Sequence, residues 1–211
     1  MEVDLLKYEK ELYKKGYNYI AGTDEVGRGP LVGPVVAAAV ILPKNYKLDG
    51  LNDSKKLSEK KRNLFYDIIM RDAISVGIGV ISEDVIDEIN ILEASRLAMN
   101  TALDNLDQKP DYILSDAMKL DRNVEVLPII HGDALSLSIS AASVIAKVTR
   151  DRMMEELGER YPLYEFERHK GYPTKRHIEL VKKHGVLKEY RKTFKPISEI
   201  LERSEKGEQE V

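Results

Sequence analysis

Apolar positions along the chain alternate between helical and strand spacing. The pattern from Val3 to Lys15 predicts an N-terminal helix. Tyr17-Asn18-Tyr19-Ile20-Ala21 then reads as a β-strand, and the apolar run Val35 to Leu42 as a second, deeply buried one. Gly and Pro between them predict a hairpin. A polar loop leads to a helix from Ser58 to Arg71, with Ser58 the expected N-cap and Glu59 in the first turn. Ile74 to Ile81 is expected as a third strand and Ser82 to Leu106 as a helix broken near Asn90. Tyr112 to Ser115 and Val124 to Ile130 read as short strands, Ala134 to Leu157 as a long helix, and further helices are expected after Thr174 and Val186. Three strands followed by strands separated by helices imply an α/β fold, a central mixed sheet with helices on both faces.

No repeat or low-complexity linker divides the pattern. With 211 residues, 43% of them hydrophobic, the chain can build one sizeable core, so residues 1–197 read as one domain. Ile197 to Val211 carries five Glu against two Lys and Arg, and residues 198–211 are expected to form a flexible acidic tail. No apolar run reaches ~18 residues, so no membrane span is expected. The N-terminus lacks a signal peptide's apolar segment, which leaves a cytoplasmic monomer as the expectation. Cysteine is absent, excluding disulfides, thiolate zinc sites and cysteine nucleophiles. The formal net charge of -3 argues against a polyanionic partner, but its distribution does not. Ala141 to Pro196 holds 14 Lys and Arg against 8 Asp and Glu, a net of +6. A basic C-terminal half facing an acidic centre suits a polyanion held over a metal site; solvated helix faces give the same count.

The densest candidate chemistry is Gly22 to Pro34, GTDEVGRGPLVGP. Asp24 and Glu25 stand where the first strand runs out, before a glycine-rich turn. Asp116 and Asp133 follow later predicted strands, so Asp24, Asp116 and Asp133 share the carboxyl ends of strands, where open α/β sheets hold ligands. Each alone is an ordinary turn residue; together, four carboxylates would repel unless protonated or bridged by cations. Mg²⁺ and Mn²⁺ take such oxygen ligands, and two ions ~4 Å apart can activate water and stabilise the leaving oxygen of a phosphodiester. Neighbours on a regular strand point to opposite faces, so Glu25 joins Asp24 only if the strand bulges or ends; otherwise it contributes through its carbonyl or a water.

Gly27-Arg28-Gly29 does not fit a dinucleotide-binding loop, because Val32 stands where the third glycine belongs. It fits a close backbone approach to a ligand, such as a ribose 2′-OH, or a tight hairpin turn. Ser54, Lys55 and Lys56 offer a hydroxyl and two ammonium groups to phosphate, or the entry to a helix. Ser136, Ser140, Ser143 and Lys147 share a helix face that either tracks a nucleic-acid backbone or permits tight packing. Tyr172, in a basic HKGYPT loop before a helix that Thr174 can cap, either stacks on a sugar or base or is structural. The histidines lack zinc spacing, and no Walker-type phosphate loop is present.

From about Tyr19 to Ser198 these segments closely resemble ribonuclease HII, the type 2 ribonuclease H family. The resemblance is carried by GTDEVGRGPLVGPVVAAAV, DSKKLS, ILSDAMKL, HGDALSLSISAASVIAKVTRDRMM and HKGYPT. It implies a ribonuclease H-like fold, a mixed sheet flanked by helices with a helical C-terminal region. It also implies that Asp24, Glu25, Asp116 and Asp133 hold two Mn²⁺ or Mg²⁺ ions. Gly27, Arg28 and Gly29 would contact the ribonucleotide's 2′-OH, and Tyr172 the following sugar. Ser54, Lys55, Lys56, Ser143 and Lys147 would meet phosphates. The implied substrates are RNA–DNA hybrids and DNA duplexes containing ribonucleotides, cut on the 5′ side to leave a 3′-hydroxyl and a 5′-phosphate. Ser115 and His131 depart from the residues commoner in the family. Asp151 is expected to be structural, pairing Arg150 or Arg152 or capping. The rival expectations are a non-catalytic nucleic-acid-binding protein of the same fold and a 3′ exonuclease.

Overall fold

In the computed structural model, residues 4–51 and 57–206 are described; Ser54, Lys55 and Lys56 lie outside them. Helix α1 (Lys7–Lys14) leads into β1 (Ile20–Val26) and β2 (Val35–Ile41), which pair antiparallel as the expected hairpin. Helix α2 (Glu59–Asp72) starts at Ser58, whose hydroxyl accepts from the Lys61 N–H, and β3 (Ser75–Ile81) pairs antiparallel with β2. After α3 (Glu83–Asp104), β4 (Tyr112–Asp116) and β5 (Val126–Ile129) extend the sheet in parallel on the other side of β1. The strand order is β3-β2-β1-β4-β5. The break in α3 falls at Asn90, at φ 67°, whose side-chain oxygen accepts from the Leu92 and Glu93 N–H groups and starts the helix again.

The pleat of β2 sorts the core into two layers. Ala37, Ala39 and Ile41 pack with α3, whereas Ala38 and Val40 pack with α2 and the long helix α4 (Leu137–Arg160). Gly77 and Gly79 let α3 come close: a Cβ on either would stand 2.0 and 2.1 Å from the carbonyl oxygens of Ala102 and Ala98. Beyond α4 come the short α5 (Phe166–His169), α6 (Lys175–His184), capped by Thr174, and α7 (Ile197–Glu205). These pack in a separate cluster with Leu31 and Val32.

Three expectations are corrected. β1 begins at Ile20 rather than Tyr17, because the Asp111 carboxylate takes the Asn18 and Tyr19 N–H groups outside the sheet, and it continues through Glu25 against the small Ala37 and Ala38. No helix starts directly after Val186, and the next is α7 at Ile197: Tyr190 bridges to Val32 and Arg191 turns inward, both fully buried. The acidic segment starts as α7, because Ile197 is buried and Ile200 and Leu201 pack beside it. Among the described residues, no helix is long and apolar enough to cross a membrane.

Candidate active site

The pairing of β1 with β4 ends at Thr23 and Ser115, so the next residues, Asp24 and Asp116, stand side by side at the carboxyl ends of these two inner strands. Alternation puts both on the face that α4 covers. Gly22 makes that cover tight, since its Cβ would lie 2.1 Å from the Ser138 carbonyl carbon. Asp24 is buried, and its carboxyl is pushed well above the usual range by burial first, then by Glu25 and Asp116. Hydrogen bonds from Ser143 and from the Glu25 N–H, 2.7 Å, oppose that rise in part. No bulge carries Glu25 to this face, because β1 stays regular through Glu25 opposite Ala37. Even so, its carboxylate lies within the field of Asp116, and Arg28 stands 3.6 Å away. Burial raises the Glu25 pKa more than Arg28 lowers it.

The other two acids are set by turns. The Ser115 hydroxyl donates to the Met118 carbonyl at 2.5 Å and closes the turn in which Ala117 takes φ 51°. That gives the unusual serine a role in aiming Asp116. The Gly132 N–H donates to Asp116 Oδ1 at 2.7 Å, and the next residue, Asp133, is buried. A Cβ on Gly132 would stand 2.6 Å from Ile139 Cδ1 and displace the end of that side chain.

The Gly27–Pro34 loop is gripped from the C-terminal half. Leu31 N–H donates to the Gly171 carbonyl at 2.8 Å, and the Tyr172 ring lies 3.5 Å from where a Cβ on Gly29 would be. Tyr172 is 40% exposed, unusual for an aromatic ring on so well-packed a loop. His177 fixes the backbone behind it: Nδ1 bonds the Tyr172 carbonyl at 2.9 Å and Nε2 the Tyr190 hydroxyl at 2.8 Å. Asp24, Glu25 and Asp116, the glycine loop and the exposed tyrosine thus lie towards the carboxyl ends of the inner strands β1 and β4.

The family profile described as ribonuclease HII matches residues 21–197. The chain belongs to the ribonuclease HII family. It is 59% identical to a ribonuclease HII of Bacillus cereus over 95% of this chain and 78% of that one. Among solved structures, the ribonuclease H2 of Pyrococcus horikoshii superposes with a TM-score of 0.75 at 30% identity, covering 89% of this chain and 99% of that one. The ribonuclease HII of Archaeoglobus fulgidus, solved in complex with PCNA, gives 0.68 at 25% identity over 84% and 95%. The chain is therefore a ribonuclease H, an enzyme acting on RNA–DNA hybrids, with the ribonuclease H-like fold.

Within this ribonuclease HII chain the donors suit a hard divalent cation. Among the described residues, no three acidic or imidazole groups close into a ready cage. Every donor at the sheet edge is nevertheless an oxygen, and Glu25 Oε2 is buried without a hydrogen-bond partner. A cation there would satisfy that oxygen and lower the raised pKa of Asp24. The serine stripe reads differently from the expected phosphate track. Ser136 and Ser140 are fully buried, the first capping α4 and donating to Glu9, because α4 is enclosed along this stretch rather than open to solvent. Ser143 serves Asp24, and Lys147 pairs with Asp151 at 2.7 Å. Asp151 is thus structural as expected, but its partner is Lys147. Arg150 bonds carbonyls instead, and Arg152 lies over the Tyr66 ring, 4.4 Å from its centroid. Sequence reasoning did not find Arg191 or His177; their only signal, a basic run and a histidine in an amphipathic helix, is shared by ordinary solvated segments.

Proposed function

We propose that the chain is a metal-dependent endonuclease that cuts the RNA of RNA–DNA hybrids and incises 5′ of single ribonucleotides embedded in duplex DNA. The products carry a 3′-hydroxyl and a 5′-phosphate. The observation that carries this reading is the burial of Asp24 against Glu25 and Asp116 beside an open glycine loop and an exposed tyrosine. Asp24, Glu25, Asp116 and Asp133 would hold Mg²⁺ or Mn²⁺. When bound, such ions supply a water of lowered pKa and positive charge for the leaving oxygen.

The chain's own residues do the remaining work. Ser143 and the Glu25 N–H orient Asp24, Ser115 and Gly132 orient Asp116, and Arg28 restrains Glu25. The backbone of Gly27, Arg28 and Gly29 reads the ribose 2′-OH, which offers both a donor and an acceptor. Tyr172, beside Gly29, stacks on the neighbouring sugar. Lys147 offers charge to the phosphates in exchange with Asp151, as Lys55 and Lys56 would, with Ser54 as a hydroxyl donor. The 2′-OH is recognised rather than used as nucleophile, in keeping with a 5′-phosphate product.

The test is cleavage of a DNA duplex with one internal ribonucleotide, beside an all-DNA control, in Mg²⁺, Mn²⁺ or EDTA. A metal-dependent nick immediately 5′ of the ribonucleotide, absent from the control, is the expected result. A folded protein that binds the duplex and cuts with neither metal would overturn the reading in favour of a binding module.

A further inference from the structure

Behind the glycine loop lies a buried arginine with an unusual set of partners. Arg191 is fully buried, and all of its side-chain hydrogen bonds go to carbonyls of the loop. Its Nε donates to Gly33 at 3.0 Å; Nη1 donates to Arg28 at 3.1 Å and Pro30 at 2.8 Å. Nη2 donates to Gly27 at 2.6 Å and to Gly33 at 2.9 Å. Its backbone N–H takes the Leu31 carbonyl at 2.9 Å, and Arg150 takes those of Val32 and Pro34. Seven of the eight carbonyls from Gly27 to Pro34 are therefore held, all except that of Gly29. By contrast, the N–H groups of Gly27, Arg28 and Gly29 make no hydrogen bond among the described residues.

A guanidinium buried without a carboxylate costs far more than an apolar side chain of similar volume. Only its planar fork can meet several carbonyls at fixed angles, which an ammonium cannot do. We propose that Arg191 is the positioning residue for ribonucleotide recognition: it draws the carbonyls of Gly27, Arg28 and Pro30 inward and so keeps the N–H groups of Gly27, Arg28 and Gly29 as a preorganised donor face for the ribose. This rests on the reading that the loop contacts the 2′-OH.

Arg191→Lys tests it, with Arg191→Gln as a second variant should lysine unfold the protein. Arg150→Lys is the matched control, since Arg150 is equally buried yet leaves the carbonyls of Gly27, Arg28 and Pro30 alone. Amide hydrogen exchange of the free protein reads the loop without substrate; cleavage of the single-ribonucleotide duplex, well below the melting range, reads recognition. In Arg191→Lys, exchange should quicken at Leu31 and Gly33, whose N–H groups bond the Gly171 and Glu189 carbonyls, and not in the sheet. The kcat/KM on the ribonucleotide duplex should fall about 100-fold, as misplacement near 1 Å does, with affinity for an all-DNA duplex unchanged. Arg150→Lys should melt lower but keep ribonucleotide selectivity. Unchanged loop exchange in Arg191→Lys, or an equal loss of selectivity in Arg150→Lys, would make Arg191 a mere brace and end the proposal. A wild-type protein that ignores ribonucleotides would instead refute the functional reading, and the exchange result would still decide whether Arg191 shapes the loop.

Discussion

Gly22 is where fold and chemistry meet most tightly, and Gly22→Ala makes the coupling measurable. A Cβ at this position would stand 2.1 Å from the Ser138 carbonyl carbon and 2.3 Å from the Ile139 nitrogen. Carbon atoms rest at about 3.5 Å or more, so α4 must retreat by roughly 1.4 Å. It cannot do so freely. Its first turn is tied to α1 through Glu9, which accepts from the Ser136 hydroxyl at 2.7 Å and the Ser138 N–H at 3.0 Å. Overpacking costs about 1–3 kcal/mol, and backbone rather than a flexible side chain is the obstacle here, which favours the upper end. For a chain of this size that is a fall in Tm of about 6–12 °C. The same retreat carries Ser143 away from Asp24, and misplacement of this order costs about 100-fold in rate. Melting followed by circular dichroism and single-turnover cleavage of the ribonucleotide duplex test both halves. A variant with unchanged Tm and unchanged rate would show that α4 does not set the position of Asp24.

Asp24→Asn keeps an oxygen for the Glu25 N–H but removes the charge that burial, Glu25 and Asp116 all disfavour. The folded carboxyl holds its proton more tightly than the unfolded one, so its contribution to stability is lost as pH rises. In EDTA the variant should melt above the parent, by a margin that grows with pH, while cleavage disappears; near-normal cleavage would refute the assigned role. Tyr172→Ala should reduce cleavage at the ribonucleotide more than affinity for the duplex, and equal losses would mean that the ring only binds. His177 works in the opposite pH direction from Asp24. Burial pushes its pKa down from 6.5 to about 4, so the unfolded chain takes up a proton that the fold refuses. Stability should therefore be full above pH 6.5 and fall as pH drops towards 4, by up to about 3 kcal/mol. His177→Asn should flatten that slope, and a slope as steep as the parent's would place its source elsewhere.

Much of the sheet was legible because its signals are local. The hairpin, the parallel β4 and β5, and the restart of α3 at Asn90 follow from apolar runs, glycines and a capping side chain. The pairing of Asp24 with Asp116 was legible through the rule that strands run out on a common edge. Glu25 was not, because alternation says where its Cβ starts and not where a long side chain ends. The serine stripe misled for a related reason: spacing shows that Ser136, Ser140 and Ser143 share a face, but not that neighbours enclose it. Arg191 was illegible because its role depends on Gly27, Arg28, Pro30 and Gly33, more than 150 residues away in the chain.

That separation suggests how the two tasks divide. The acids that would carry the chemistry come from strand ends and turns between Asp24 and Asp133. The turn from Gly27 to Pro30 is held by Arg191, whereas Arg150, Gly171 and Glu189 brace only the half of the loop from Leu31 to Pro34, all from α4 onward. On the proposed function, a change at Arg191 should alter which sugar is recognised without touching a carboxylate, and a change at a strand end should stop cleavage without loosening the loop. Gly27 lies between the two groups. It follows directly after the acidic strand, at φ 96°, and a Cβ there would collide with Arg150 at 2.4 Å and with the Pro34 carbonyl at 2.9 Å. Only glycine meets both demands, a left-handed turn and room for the buried Arg150 side chain, at the one residue that joins the acidic strand to the loop.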